Sequence, residues 1–258
     1  MKFSIIGTGF IFPNHVQAIK SVGGEIVEAI GERSLLSWQE IIKNPQTDCI
    51  VVLAPNNLHF EIVLASAKEG KIVLCEKPLA LSSKEVKKLM NYPNIFTVAQ
   101  LRCHPATKEL KEKISQEGNY KIKIDISVHR DKNYFQSWKG QKEKSGGVLF
   151  NLGIHYFDLL LYLFGPSQKI QTSFLTETKG EGIIEGKNYL CQWRINTEEE
   201  KEKQKRVFEI NGASYNFSST ENLHIYVYKD LLEEKGTTPK EALKSIELIE
   251  KIYENFKK

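Results

Sequence analysis

The chain has 258 residues, of which 41% are apolar and 26% charged, enough to bury one large core or two smaller ones in an ordinary globular protein. Its net charge of +4 is spread through interleaved Lys, Arg, Glu and Asp, which excludes a basic nucleic-acid footprint. Met1 leads straight into an apolar strand without a signal-peptide pattern, and the apolar runs read as too short to span a membrane. Cys49, Cys75, Cys103 and Cys191 form no C-x-x-C pair, so buried thiols, no bound metal and a reducing cytoplasm are expected.

In chain order, the apolar run KFSIIG opens onto GTG at positions 7–9. A helix over NHVQAIKSVG stops at Gly23 and Gly24, and a second strand, EIVEAIG, closes at Gly31. LLSWQEII reads as a short helix and DCIVVLAP as a buried strand. NNLHFEIVLASAKEG reads as a helix with Leu58, Ile62 and Ala65 on its buried face and Gly70 as its stop. KIVLCEKP is a further strand, SSKEVKKLM a helix begun by the Ser82/Glu85 capping box, and IFTVAQL a last short strand. Strands alternating with helices predict a mainly parallel sheet with nucleotide chemistry at its first strand-to-helix turn.

GTGFIF fits that turn with one exception: the third place of the G-x-G-x-x-G fingerprint holds Phe12. Gly7 can make the tight turn and Gly9 can admit a pyrophosphate to the helix N-terminus, while Phe12 alters only helix-to-sheet packing. A glycine turn without a nucleotide is the competing reading. Glu32, just after the second strand, is the candidate ribose carboxylate, which would disfavour NADP; an ordinary turn carboxylate is the alternative.

Beyond residue 103 the pattern changes. ATKELKEKISQEG is helix-like, YKIKIDISVHR alternates as a strand, and DKNYFQSWKGQKEKSG is a polar loop. GGVLFNLGIHYFDLLLYLFG is an apolar helix that carries Asn151 and His155 at i, i+4. KIQTSFLTE, NYLCQWRIN, KRVFEING and ASYNFSS are strand-like, with EEEKEKQK read as a solvated hairpin tip. TPKEALKSIELIEKIYENF closes the chain as a helix with a Thr238/Glu241 capping box and Pro239 in its first turn. Leu243, Ile246, Ile249, Ile252, Tyr253 and Phe256 form its expected buried stripe. Two domains follow: a shortened Rossmann α/β domain over 1–102 and an α+β domain with a mainly antiparallel open sheet over 103–258.

Lys77 follows a strand and precedes Pro78, which keeps its backbone out of helix; such a lysine can stabilise an alkoxide in a nucleotide cleft. His155 suits acid–base work near neutral pH. A surface lysine and a buried structural histidine are the competing readings.

GTG, PNNLH (55–59), CEKP (75–78) and NLGIH (151–155) together resemble the glucose-fructose oxidoreductase and inositol dehydrogenase superfamily. LRCHP (101–105), RDKNYFQSWKG (130–140), the segment 145–165 and NLHIYVYKDLL (222–232) resemble more narrowly the bacterial UDP-N-acetylglucosaminuronate 3-dehydrogenases, which serve lipopolysaccharide O-antigen synthesis. The resemblance implies NAD as cofactor, held by Gly7, Gly9, Phe10, Ile11, Glu32, Pro55, Asn56, His59, Glu76 and Lys77. It implies catalysis by Lys77 and His155, with Asn151 orienting a sugar hydroxyl in a place where many members have Asp. The substrate side would comprise Arg102, Arg130, Tyr134, Trp138, Lys139, Asn151, His155 and Tyr228, whose cations suit a uronate and a diphosphate.

The implied reaction has His155 accept the proton of the sugar O3 as hydride leaves C3 for the nicotinamide, Lys77 steadying the charge at O3. Reoxidation by 2-oxoglutarate and a homodimer or homotetramer are further implications, with no nucleic-acid or membrane partner. The chain departs from the family between Gly31 and LLSWQEII, where the usual helix and strand have almost no room, so the adenosine side of the pocket should be trimmed. A dehydrogenase for another sugar, or a non-catalytic sugar-nucleotide-binding or regulatory protein of the same fold, remain alternatives.

Overall fold

The computed structural model describes residues 1–115, 117–217 and 221–256. The chain divides into two compact units. The first comprises Met1–Gln100 together with a later segment whose described part is 221–243, and the second comprises the rest. The first cut lies close to the expected 102/103 boundary. The return of 221–243 to the first unit departs from the expectation of one uninterrupted domain over 103–258.

In the first unit, β1 (Lys2–Ile6), α1 (Phe12–Ser21), β2 (Glu25–Ile30), α2 (Trp38–Ile41), β3 (Cys49–Val52), α3 (Asn56–Lys68), β4 (Ile72–Cys75), α4 (Ser83–Leu89) and β5 (Ile95–Thr97) alternate as expected. The strands form one all-parallel sheet in the order β2-β1-β3-β4-β5. Cys49, Ile50, Val51 and Val52 are all buried, as strands covered on both faces require. With only α2 between β2 and β3, β2 is an edge strand, which is the predicted trimming.

Ser82 accepts from the Glu85 backbone N–H at 3.3 Å and caps α4. The buried face of α3 is Asn56, His59, Ile62, Val63, Ser66 and Ala67; Leu58 is exposed, contrary to the expected stripe.

The second unit holds α5 (Pro105–Lys113), β6 (Tyr120–Ser127), α6 (Lys132–Gln136), α7 (Lys142–Ser145), α8 (Ile154–Phe164), β7 (Ser167–Leu175), β8 (Lys179–Gly186), β9 (Tyr189–Asn196), β10 (Lys205–Ile210) and β11 (Ala213–Ser214). Their sheet runs β11-β10-β6-β9-β8-β7, antiparallel except for the parallel β6–β9 pair. Because β6 lies between β9 and β10, EEEKEKQK is a crossing connection with a short 3-10 turn at Lys201–Lys203, and the hairpin-tip expectation is corrected. Gln116, Ser218 and Ser219, in the expected helix and strand there, lie outside the described residues.

The strand β8 was not expected from KGEGIIEG, whose glycines weigh against strand. They are needed for packing: a Cβ on Gly182 would stand 2.2 Å from the Gln171 carbonyl oxygen and 3.1 Å from the Trp193 indole nitrogen. Trp193 in turn meets Phe157 of α8 edge-on, 5.4 Å between centroids.

The expected polar loop after β6 contains α6, α7 and a 3-10 turn at Trp138–Gly140. The chain then enters α8 through a π-helical turn at Leu149–Gly153. The helical run Lys142–Phe164 contains an 18-residue stretch of mean hydropathy 1.5 and is long and apolar enough to cross a membrane, which amends the reading of the apolar runs as too short; 78% of that stretch is buried within the protein.

Two helices complete the chain, α9 (His224–Leu232) and α10 (Pro239–Phe256). Glu241 caps α10, its Oε2 accepting from the Thr238 N–H and hydroxyl, both at 2.9 Å. Ile246, Ile249 and Ile252 are buried as expected, whereas Phe256 is 44% exposed. All four cysteines are buried and free, and burial pushes the thiols of Cys49, Cys75 and Cys191 up, so they stay protonated.

Candidate active site

The candidate dinucleotide residues of the first unit follow the carboxyl ends of its parallel strands, where open α/β sheets bind ligands. The order of strands reverses between β1 and β3, and Gly7 sits at that switch. Its φ of 113° is closed to most side chains, and a Cβ would lie 2.5 Å from the Leu53 carbonyl. Its N–H donates to the Ile30 carbonyl at 2.7 Å, tying the turn to β2.

A Cβ on Gly9 would meet nothing within 4 Å among the described residues, so the backbone there is open to close approach. These two positions fit a pyrophosphate at the start of α1. Phe10 is 88% exposed, Ile11 is half-buried, and Phe12 opens α1 with its N–H on the Gly9 carbonyl at 3.0 Å. Glu32 is exposed just past β2, in a turn where the Gly31 N–H donates to Ser34 Oγ at 2.9 Å.

Pro55 caps α3 and Asn56 is buried in its first turn. His59 is wholly buried: Nδ1 lies 2.6 Å from the Pro78 carbonyl oxygen and Nε2 2.8 Å from that of Ala54. Burial pushes its pKa down and outweighs the two carbonyls, which favour the charged ring. His59 therefore staples two loops from inside and cannot line a pocket with its ring.

Glu76 is likewise turned inward. Its Oε1 lies 3.1 Å from Nε2 of both His15 and His224, and its Oε2 accepts from the Lys77 N–H at 3.2 Å. Its side chain is thus taken up within the protein, leaving the backbone for any cofactor contact. Burial alone would raise the carboxyl, but the hydrogen bonds and charge of the two histidines hold it well below the usual carboxylate range. Lys77 itself is half-buried, and the Lys77–Pro78 peptide is cis.

Tyr228, expected on the substrate side, is fully buried in the first unit. Its hydroxyl is 2.8 Å from His15 Nδ1 and its ring meets Phe3 edge-on at 5.6 Å. A side chain with no exposure cannot touch a substrate, so the substrate role is withdrawn. His15 and His224 are the residues that sequence reasoning missed. The interacting positions lie 61 and 148 residues from Glu76, and no local pattern links them.

In the second unit, Tyr134, Lys139 and Asn151 line one small cavity with Phe135, Ser145 and Thr197. The Asn151 amide donates to the Lys139 carbonyl at 3.1 Å, and Lys139 Nζ lies 5.9 Å from the Trp138 ring centre. Arg130 stacks on Tyr134 at 5.2 Å, and its buried Nε has no hydrogen-bond partner among the described residues. Burial raises the Tyr134 phenol while Arg130 opposes the rise. His155 is half-buried in the first turn of α8, directly after the π-turn that carries Asn151.

Arg102 behaves differently from the expected substrate cation. Its guanidinium forms a two-pronged pair with Asp158, at 2.8 and 2.7 Å, and stacks on Tyr162. That pair occupies the geometry a uronate would need.

A model of an oxidoreductase family's NAD-binding Rossmann fold, Gfo/Idh/MocA, matches residues 21–94, and the C-terminal alpha/beta domain of the same family matches 111–181. The chain belongs to this family. It carries the family's NAD-binding Rossmann domain and mixed-sheet partner domain.

Among solved structures, the WlbA (WbpB) dehydrogenase of Thermus thermophilus is 28% identical, with a TM-score of 0.87 over 95% of this chain and 92% of that one. It was crystallised with NAD and alpha-ketoglutarate, and also with NAD and UDP-GlcNAcA. Curated relatives include an uncharacterized oxidoreductase of Streptococcus pneumoniae, 29% identical over 73% of this chain and 56% of its own length. A myo-inositol 2-dehydrogenase of Thermotoga maritima is 27% identical over 64% and 55%. The chain therefore spans about half the length of the curated relatives it matches.

Proposed function

We propose that this family member oxidises the 3-hydroxyl of a UDP-linked N-acetyl-uronic sugar with NAD. The observation that carries the reading is the likeness to the Thermus thermophilus WlbA dehydrogenase, crystallised with NAD and UDP-GlcNAcA, over 96% of this chain. Lys77, Asn151 and His155, the residues the chemistry needs, are all present and none is fully buried.

The turn at Gly7 and Gly9 and the first turns of α1 and α3 would hold NAD, which supplies the hydride acceptor when bound. His155 accepts the proton from the sugar O3, and Lys77 places positive charge where the alkoxide develops. Asn151 is a neutral amide that orients a hydroxyl and does not take its proton. Arg130, whose Nε has no partner among the described residues, and Lys139 supply the charge for the anionic sugar nucleotide; Arg102 is left to Asp158.

The test is NAD reduction by the full chain with UDP-N-acetylglucosaminuronate, in single and multiple turnover and with 2-oxoglutarate added, scored by the 3-keto product. No product from folded protein that binds both ligands overturns the reaction. Binding of the UDP-sugar without NAD or NADH would favour a non-catalytic binding protein. Product from myo-inositol but not from the UDP-sugar would favour another polyol substrate. Light scattering of the same sample checks for the dimer or tetramer.

A further inference from the structure

The Glu-Lys-Pro segment is gripped by three histidines. Glu76 Oε1 meets His15 and His224 through their Nε2 atoms, both at 3.1 Å, and the Pro78 carbonyl meets His59 at 2.6 Å. Between these anchors lies Lys77, whose N–H is fixed on Glu76 Oε2 at 3.2 Å.

The protons in this cluster can be counted. Asn222 Nδ2 donates to the Asn14 carbonyl at 2.7 Å, and its Oδ1 accepts from the His224 N–H at 3.1 Å, which fixes the orientation of the amide. His224 Nδ1, 3.0 Å from that same Oδ1, must therefore carry a proton. Its Nε2 faces a carboxylate oxygen, which also accepts only. His15 needs a single proton, on Nε2 toward Glu76, because Tyr228 can donate its hydroxyl to Nδ1. Three of the four ring nitrogens thus need hydrogens, whereas two neutral imidazoles have two.

We infer that the imidazoles of His15 and His224 hold one proton beyond the neutral count, balancing the Glu76 carboxylate, and that this buried cluster is a positioning device for Lys77. The first part stands on this geometry with Glu76 ionised, the state in which the two histidines hold it; the second rests on the role of Lys77 proposed above. The other titratable groups facing the cluster are Tyr228, Cys75, His59 and Lys77, with Cys49 facing Tyr228. Burial keeps the phenol and both thiols protonated, so none competes to neutralise Glu76.

The three side chains also bring one ligand atom each within 4.8 Å of one another, a spacing a metal ion can use. The 3.1 Å separations are ordinary N–H···O lengths and need no ion.

Long-range nitrogen–proton NMR of the full chain with labelled histidine, at pH 7.5, counts the protons directly, with His15→Gln and His224→Gln spectra assigning the signals. Three protonated ring nitrogens are expected from the pair. Two, or stoichiometric Zn²⁺ uptake that Glu76→Gln abolishes, overturns the proton count.

For positioning, Glu76→Gln should lower kcat about tenfold or more while the sugar KM stays within about twofold, since the lysine is misplaced and not removed. An unchanged kcat, or a loss carried by KM alone, overturns the positioning role. If the wild-type chain oxidises no sugar, the reaction proposed above fails by itself, and the NMR count still decides the cluster.

Discussion

Arg102 holds Asp158 with Nε and Nη2 on separate carboxylate oxygens, at 2.8 and 2.7 Å, with both side chains largely buried. Removing one partner leaves a desolvated charge without its complement. Arg102→Met should therefore cost about 3 kcal/mol in stability. Urea unfolding measures it; an unchanged midpoint accompanied by a large rise in the sugar KM would return Arg102 to the substrate side.

Gly7 and Gly9 separate structure from binding. Gly7→Ala combines a φ of 113° with a backbone clash at 2.5 Å and should cost about 3 kcal/mol or more. A methyl at Gly9 meets no atom of the described residues within 4 Å, so Gly9→Ala should fold with wild-type stability yet bind NADH more weakly. Thermal unfolding and fluorescence titration of NADH read the two effects. Equal destabilisation by both changes would contradict the assignment.

Acid should weaken the first unit in two stages. Burial lowers the pKa of His15 and of His59, so at each the unfolded chain takes up a proton first, and stability falls as pH drops below the ordinary histidine value of 6.5. Between pH 7.5 and 5.5 His15 and His59 both lower stability while the one proton already held by the His15–His224 pair offsets part of the loss, leaving about 1 kcal/mol. Glu76 has the opposite origin and the same sign: its depressed pKa gives stability that is present above 4.5 and is lost as pH falls from there toward its folded value. Urea midpoints at successive pH values test both; a flat profile from 7.5 to 5.5 would falsify the first stage.

Tyr228→Phe removes the hydroxyl that meets His15 Nδ1 at 2.8 Å and leaves a buried ring nitrogen unsatisfied. The expected cost is about 1–2 kcal/mol. Hydrogen exchange in α1 and α9, which the pair joins, should rise; exchange confined to the second unit would contradict its place in the first core.

Much of the site was legible because its signals are local. The strand-glycine-helix order around Gly7, the Ser82 and Thr238 caps, and the trimmed stretch after Gly31 depend on neighbours a few residues apart. They appear in the structure where the sequence placed them. The misreadings come from partners far along the chain. The strand β8 was hidden because Gly182 serves Trp193 across the sheet, and EEEKEKQK looked like a hairpin because nothing local reveals β6 between β9 and β10.

By itself the sequence determined the alternation of elements, the family and the residue types available for hydride chemistry, since periodicity and short motifs encode those within a turn or two of chain. Only the tertiary structure decided what several of these residues are free to do. Folding returns 221–243 to the first unit, so Tyr228 becomes core and His224 meets Glu76. It also pairs Arg102 with Asp158. A buried polar group must find its partner wherever the chain brings one, and that choice is made in space, across separations that no sequence window spans.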